Sequence, residues 1–358
     1  MDRELLRKHF EDMPLMQPTD AMKLVFQHAF GCTHMSPLLE SSMNWLRREL
    51  EETQVSPDVP VSTSIGGGLC RLNLASPRVH ALGAEKIAAM MQASIFHVLG
   101  RSDNEMRFYG SLNDVLAVIE EGRTAFSREE WEAFCEWHRE NGRCPVGHSD
   151  AYRAAYHPSY RVVSDDCITL LPVIEQAMEG RNVIVIDGPC GSGKSTLARA
   201  LSTVLDCLPI PMDDFFLPPD MRTEERLSKP GGNIHHERFK MEILDRIKVG
   251  EPLSYQRFNC QTGGMEDVKL RKGKAVVIEG SYSHHPAFAQ AYQKLNALRV
   301  FVDISPEEQL VRLQKRNPQM LAMFQTRWIP LEKNYFQAYD SKDRADILLV
   351  SQPWNEGL

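Results

Sequence analysis

The segment Gly188-Pro189-Cys190-Gly191-Ser192-Gly193-Lys194-Ser195 constrains this chain more than any other. It follows a β-branched run, Val183-Ile184-Val185-Ile186-Asp187, and precedes a helical pattern from Ser195 to about Leu205. Strand, glycine-rich turn and helix in that order make a phosphate-binding loop of the Walker A type. The glycines let the backbone wrap a phosphate with its amides turned inward. The helix N-terminus adds positive potential at the same place. Gly188, Pro189, Cys190, Gly191, Ser192, Gly193, Lys194, Ser195 and Thr196 are therefore the candidate ATP-binding residues. Lys194 is placed to bridge the β- and γ-phosphates, and the Ser195 hydroxyl to ligate Mg²⁺.

Around this loop the pattern is that of a parallel α/β sheet. Ala275–Glu279, Leu298–Asp303 and Asp346–Val350 read as further strands, and Ser305-Pro306-Glu307-Glu308 caps a helix to about Asn317. At 358 residues, two domains are expected. The expected architecture is an α/β P-loop NTPase, a three-layer parallel sheet over 181–358, with a connecting helix or linker at 166–180. Before it lies an α-rich α+β domain over 1–165. Thr19 reads as the cap of a helix to Phe30, stopped by Gly31, and Ser36-Pro37 as the start of one to about Glu52. Ser127 to Glu130 forms a capping box, and Leu69–Leu74 alternates like a strand. Gly66-Gly67-Gly68 reads as a turn, since no Lys-Ser/Thr follows it.

The net charge of −7 and the absence of a basic block argue against nucleic-acid binding. No run of about 18 apolar residues suggests a membrane span, and the first residues lack the apolar core of a leader. The eight cysteines are scattered without a CxxC pair, which fits reduced thiols in a cytoplasmic protein. The assembly is left open, with a homodimer as one candidate.

A loop of this kind serves kinases, GTPases and motors alike. No Asn-Lys-x-Asp guanine motif is present. A hydroxyl-phosphorylating enzyme needs a carboxylate beside the acceptor, acidic help for the metal, and cations over the moving phosphoryl group. Asp213, in Met212-Asp213-Asp214, is the candidate base and a second candidate for the metal; Glu279 ends a buried strand where a metal-holding acid belongs. Arg312 and Arg316 lie with Lys315 on the helix after Asp303, and Arg327 follows a Met- and Gln-rich stretch. Together they suggest a helix, a mobile segment and an arginine forming a lid, with Arg316 or Arg312 over the phosphoryl group.

Residues 181–350 resemble the uridine kinases and the related nicotinamide riboside kinases of the phosphoribulokinase/uridine kinase group. The resemblance rests on Gly188–Thr196, Met212–Phe216, Gly232–Phe239, Ile278-Glu279-Gly280 and Arg312 through Pro330. It implies ATP and Mg²⁺, with Asp213 as base and a nucleoside or nucleoside-like hydroxyl acceptor. It also implies that Asp214, Phe216, His235, His236, Arg238, Tyr255 and Arg257 border the acceptor. Two positions depart from the family. His235 stands where those kinases carry an aspartate for the ribose hydroxyls, and Gln256 follows Tyr255 where an aspartate is common. A neutral imidazole is a poorer bidentate acceptor for a diol.

The span 145–161 gathers two histidines, three tyrosines, two arginines and two serines and reads as loop-like. Packing at the domain interface, a second ligand or catalytic site, and a metal site of His28, Cys32, His34 and His148 are the three readings of this region. Three functions stay open for the whole chain. One is a small-molecule kinase, one a two-site enzyme acting on one metabolite, and one a P-loop sensor that regulates the N-terminal domain.

Overall fold

The structure is a computed structural model describing residues 1–259 and 262–351. Cys260 and the last residues of the 181–358 span lie outside the described residues. The chain divides into two compact units, Met1–Ile168 and a second that begins at Thr169.

The first unit opens with α1 (Arg3–Asp12), α2 (Pro18–Phe30) and α3 (Glu40–Glu52). Strands β1 (Ser62–Gly66) and β2 (Leu69–Asn73) form a hairpin, turning at the three glycines. Then come α4 (Gly83–Leu99), α5 (Asn104–Glu120), α6 (Arg128–Glu140), α7 (Asp150–Tyr156) and β3 (Tyr160–Ser164). The sheet is antiparallel with β2 in the middle. That place explains why Leu69 through Leu72 are all buried, Arg71 included.

Three boundaries differ from expectation. Helix α2 starts at Pro18 and is capped by Gln17, whose amide is held by Asp20 at 2.9 Å, so Thr19 is inside the helix. Pro18 suits the first helical position because no intrahelical partner is lost there. Helix α3 starts at Glu40, later than Ser36-Pro37. The 145–161 span is not a loop throughout. Ser149 accepts the Tyr152 amide and caps α7, and Tyr160 opens β3. The α6 capping box forms as expected, with both Ser127 and Glu130 engaged.

The second unit begins with α8 (Leu171–Met178), β4 (Val183–Asp187), α9 (Lys194–Val204) and β5 (Cys207–Pro211). A hairpin of β6 (Leu253–Phe258) and β7 (Met265–Leu270) is followed by β8 (Ala275–Glu279) and β9 (Leu298–Asp303). Helices α10 (Pro306–Arg316) and α11 (Ile329–Tyr339) and strand β10 (Ile347–Val350) complete it. The five-stranded sheet is parallel in the order β10-β9-β4-β8-β5. Its central strand β4 is buried along its whole length. Strands covered on both faces need continuous apolar side chains, which is why they read as β-branched runs. Each buried Val or Ile contributes about 1.5–3 kcal/mol.

The stretch after α10, expected to be mobile, is wound into helical turns from Pro318 to Trp328 and leads straight into α11. Leu, Ala, Met and Gln are good helix formers. Among the described residues no helix is long and apolar enough to cross a membrane.

Candidate active site

The phosphate loop sits at the C-terminal end of β4, in the crevice where ligands bind to open α/β sheets. Gly188 has φ 143°, and a Cβ there would lie 2.3 Å from the Val302 carbonyl oxygen, so only glycine fits against β9. The fully buried Asp187 anchors the loop. It accepts hydrogen bonds from the amides of Gly188 at 2.7 Å, Tyr282 at 3.1 Å and His284 at 2.8 Å, and from the Tyr335 hydroxyl at 2.8 Å. One carboxylate thus ties the loop to the segment after β8 and to α11. Lys194 curls onto the loop and donates to the carbonyls of Gly188 at 2.7 Å and Pro189 at 2.8 Å. Lys194 and Ser195 open α9, where the first amides have no intrahelical acceptor and are free for phosphate oxygens.

Three acids surround Lys194. Glu279, at the end of β8, accepts the Ser195 hydroxyl at 3.1 Å. Asp213 lies in the short turn after β5, open to solvent in a cleft crowded by protein atoms. Glu332, from α11, is buried and accepts the Cys190 amide at 2.9 Å and the Ser281 hydroxyl at 2.6 Å. Burial raises Glu279 and Glu332, and the protein atoms crowded around its cleft raise Asp213, while the Lys194 charge pulls each of them down. Asp214 raises both Asp213 and Glu279, and Asp213 raises Glu279 further. This excess of acid beside one lysine suits a divalent cation.

Among the described residues no group of three or more His, Cys, Asp or Glu side chains forms a ready metal cage. Mg²⁺ does not need one, since it takes one or two protein oxygens and fills its octahedron with water and phosphate. The Ser195–Glu279 pair with Asp213 fits that demand. The His28, Cys32, His34 and His148 set does not form a metal site. His28 is bonded to the Ile65 carbonyl, Cys32 to that of Met91, and His148 to Asp20 and Tyr160.

The expected arginines separate. Arg312 is braced against the loop, bonding Glu308 at 2.7 Å, the Ser351 hydroxyl at 2.7 Å and the Gly191 carbonyl at 3.4 Å. Arg316 is exposed at the end of α10, and its charge acts on Asp213.

The acceptor-side residues form two groups. Asp214 accepts the Tyr255 hydroxyl at 2.6 Å. Arg238 donates to the Asp214 and Gln256 carbonyls and lies 4.4 Å over the Phe215 ring. These contacts lock the β6 strand to the Asp213 turn. Arg257 pairs with Glu266 across the β6–β7 hairpin. In the second group, His235 accepts the Arg238 amide at 3.3 Å and so caps a short helical turn. His236 stacks on His285 at 3.9 Å, and its Nε2 is buried without a hydrogen-bond partner among the described residues. Burial and the neighbouring His285 lower its pKa to about 3, so the ring is neutral. The Phe216 ring faces Trp328 at 6.2 Å.

Asp187, Ser281, Gln309 and Glu332 were not singled out by sequence reasoning. Gln309 donates to the Cys190 carbonyl at 2.8 Å. A signal existed for Glu332. It shares the helical face of Ile329 and Tyr335, both buried, and an acid on an apolar face needs partners.

Residues 184–323 match the family model described as AAA domain. No curated protein matches the chain in sequence. A solved structure of a possible uridine kinase from Bacillus stearothermophilus is 18% identical. The match covers 51% of this chain and 98% of that one, with a TM-score of 0.40. A proposed fructose transport system kinase from Silicibacter sp. TM1040 is 20% identical, covering 51% and 96%, with a TM-score of 0.38.

Proposed function

We propose that the second unit transfers the γ-phosphate of ATP to a hydroxyl of a small molecule, with a nucleoside or nucleoside-like compound as acceptor. The convergence of Lys194, Ser195, Glu279 and Asp213 at the C-terminal ends of β4, β8 and β5 carries this reading. The loop amides and Lys194 hold the phosphates. Ser195 and Glu279 would hold Mg²⁺, which when bound neutralises charge on the β- and γ-phosphates. Asp213 takes the acceptor proton. Its carboxyl is raised above the ordinary value by its surroundings, which strengthens it as a base. Arg316 adds a second cation, after Lys194, acting on Asp213, and Arg312 holds the loop in shape. His236 is neutral, and its Nε2, without a hydrogen-bond partner among the described residues, is the atom left for a hydroxyl on the acceptor.

The test is ADP release with ATP, Mg²⁺ and a panel of nucleosides, riboside vitamins and sugars. At least one acceptor must raise it above the water-hydrolysis background and yield a phosphorylated product. If none does, the phosphotransferase reading fails and a sensor role for ATP is favoured. Lys194→Ala is expected to remove the activity.

A further inference from the structure

The first unit holds a cavity of about 320 Å³ whose wall includes Lys23, Phe26, Gln27, His148, Tyr160 and Arg161. Lys23 and His148 also border an adjoining hollow with Arg153 and His157. Residues brought here from α2, from the segment before α7 and from β3 are far apart in sequence.

Asp20 organises one side. It is fully buried and accepts four hydrogen bonds: from the Gln17 amide at 2.9 Å, the Ser149 amide at 3.0 Å, the Ser149 hydroxyl at 2.6 Å and His148 Nδ1 at 2.8 Å. Burial opposes its ionisation, but the donors outweigh burial and hold the carboxyl below the usual range. An ionised Asp20 places the His148 proton on Nδ1, and burial keeps that ring neutral. His148 Nε2 then accepts the Tyr160 hydroxyl at 2.6 Å. The His148 ring is fixed by stacking on Tyr152 at 4.0 Å. Asp20 spends its hydrogen bonds on these donors, and its charge reaches Lys23 only through space, without an ion pair.

Lys23 and Arg71 form no ion pair among the described residues. Lys23 donates to the Val146 carbonyl at 3.2 Å. Burial, then the charges of Arg71 and Arg153, lower its pKa to about 8 against the smaller opposing pull of Asp20. Arg71 is buried too. Its hydrogen bonds go to the neutral Gln27 and Tyr152, and it stacks 4.6 Å over the Tyr160 ring. Arg161 on the cavity wall is paired with Glu49, which also lines the cavity. Removing cations from water without a counter-charge is unfavourable, and an anion in the cavity relieves it.

We propose that this cavity is a second small-molecule site, binding a metabolite that carries an oxyanion, with the oxyanion on Lys23 and an apolar body against Phe26 and Val162. A phosphate monoester and a carboxylate share this chemistry. The site does not depend on the phosphotransferase reading of the second unit.

Calorimetric titration of the full chain with phenyl phosphate and with benzoate tests it. At least one probe is expected to bind wild type and Lys194→Ala alike, and Lys23→Met to weaken it about tenfold. Tighter binding of phenyl phosphate identifies the phosphate class, and tighter binding of benzoate the carboxylate class. Arg153→Ala, on an exposed residue, provides a second variant that keeps the fold, with a smaller loss expected for phenyl phosphate. Absence of saturable heat with both probes overturns the proposal. So does binding that Lys23→Met and Arg153→Ala leave unchanged, or binding that disappears in Lys194→Ala.

Discussion

Ser195 and Glu279 stand 84 residues apart in sequence, and their side chains meet at 3.1 Å. The hydroxyl opens helix α9 and the carboxylate ends strand β8, so the parallel sheet alone brings them together. Glu279→Gln keeps the size and removes the charge. It is expected to raise the Mg²⁺ concentration needed for half-maximal rate by about 10–100-fold. Metal-free ATP affinity, measured by calorimetry in EDTA, is expected not to fall. An unchanged Mg²⁺ requirement would show that Glu279 does not serve the metal.

Asp213 yields a separate prediction. Asp213→Asn is expected to lower kcat about 10²–10⁴-fold while leaving ATP affinity near wild type. The base works only when ionised, so activity falls as pH drops through its pKa. Because its surroundings raise that pKa, the acid limb of kcat/KM is expected at higher pH than an ordinary aspartate would give. The limb is expected to vanish from the residual activity of Asp213→Asn. A limb that persists would place the titration on another group.

Gly188 tests the packing of the loop on the sheet. A methyl at this position meets the Val302 backbone, which cannot turn aside as a flexible side chain would. Gly188→Ala is expected to cost about 3 kcal/mol or more in stability, read as a fall in Tm. The neighbouring tie is milder. Tyr335→Phe removes one of four donors to the buried Asp187 and is expected to cost about 1.5–3 kcal/mol.

These residues differ in how far the sequence revealed them. The inner strands β4, β8 and β9 were legible because burial on both faces demands unbroken apolar runs, whereas the edge strand β5, with Pro209 and Pro211, carries no such run. The phosphate loop was legible because its glycines, lysine and serine act through local backbone geometry. Asp213 and Glu279 were legible from their places at strand ends. Glu332 and Asp187 were not, because their roles depend on partners in other elements: Cys190 and Ser281 for one, Tyr282, His284 and Tyr335 for the other. The β6–β7 hairpin was missed for a different reason. Its second strand, Met265–Leu270, faces solvent on much of its surface and so shows little apolar alternation. In the first unit, Asp20 and His148 meet across 128 residues, and no local pattern links them. Of the four residues in the metal-site reading, His28 and Cys32 are bonded to carbonyls and His148 to a carboxylate and a phenol, while His34 packs edge-on against Phe26.

Glu332 supports the last prediction. Its carboxylate bonds the Cys190 amide within the phosphate loop, and Lys194 acts on it electrostatically. An ionised Glu332 there repels the phosphates of ATP, whereas a protonated one does not. Burial raises its pKa, so the charged form dominates only once pH has risen through that raised value. Glu332→Gln preserves the acceptor for Cys190 and removes the charge. It is expected to tighten metal-free ATP binding several-fold at pH 8, with the gain shrinking as pH falls and Glu332 takes up its proton in the wild type. Salt is expected to shrink the gain as well, although less than for an exposed pair, because buried charges are screened weakly. The same group affects stability. Its folded-state pKa lies above the unfolded value, so the folded chain holds the proton more tightly, and stability falls as pH rises through that window. Glu332→Gln is therefore expected to flatten this decline in a series of denaturation curves run upward from the ordinary glutamate range. If the ATP affinities of wild type and variant coincide at every pH, Glu332 carries no charge beside the loop and serves it as a hydrogen-bonding strut alone.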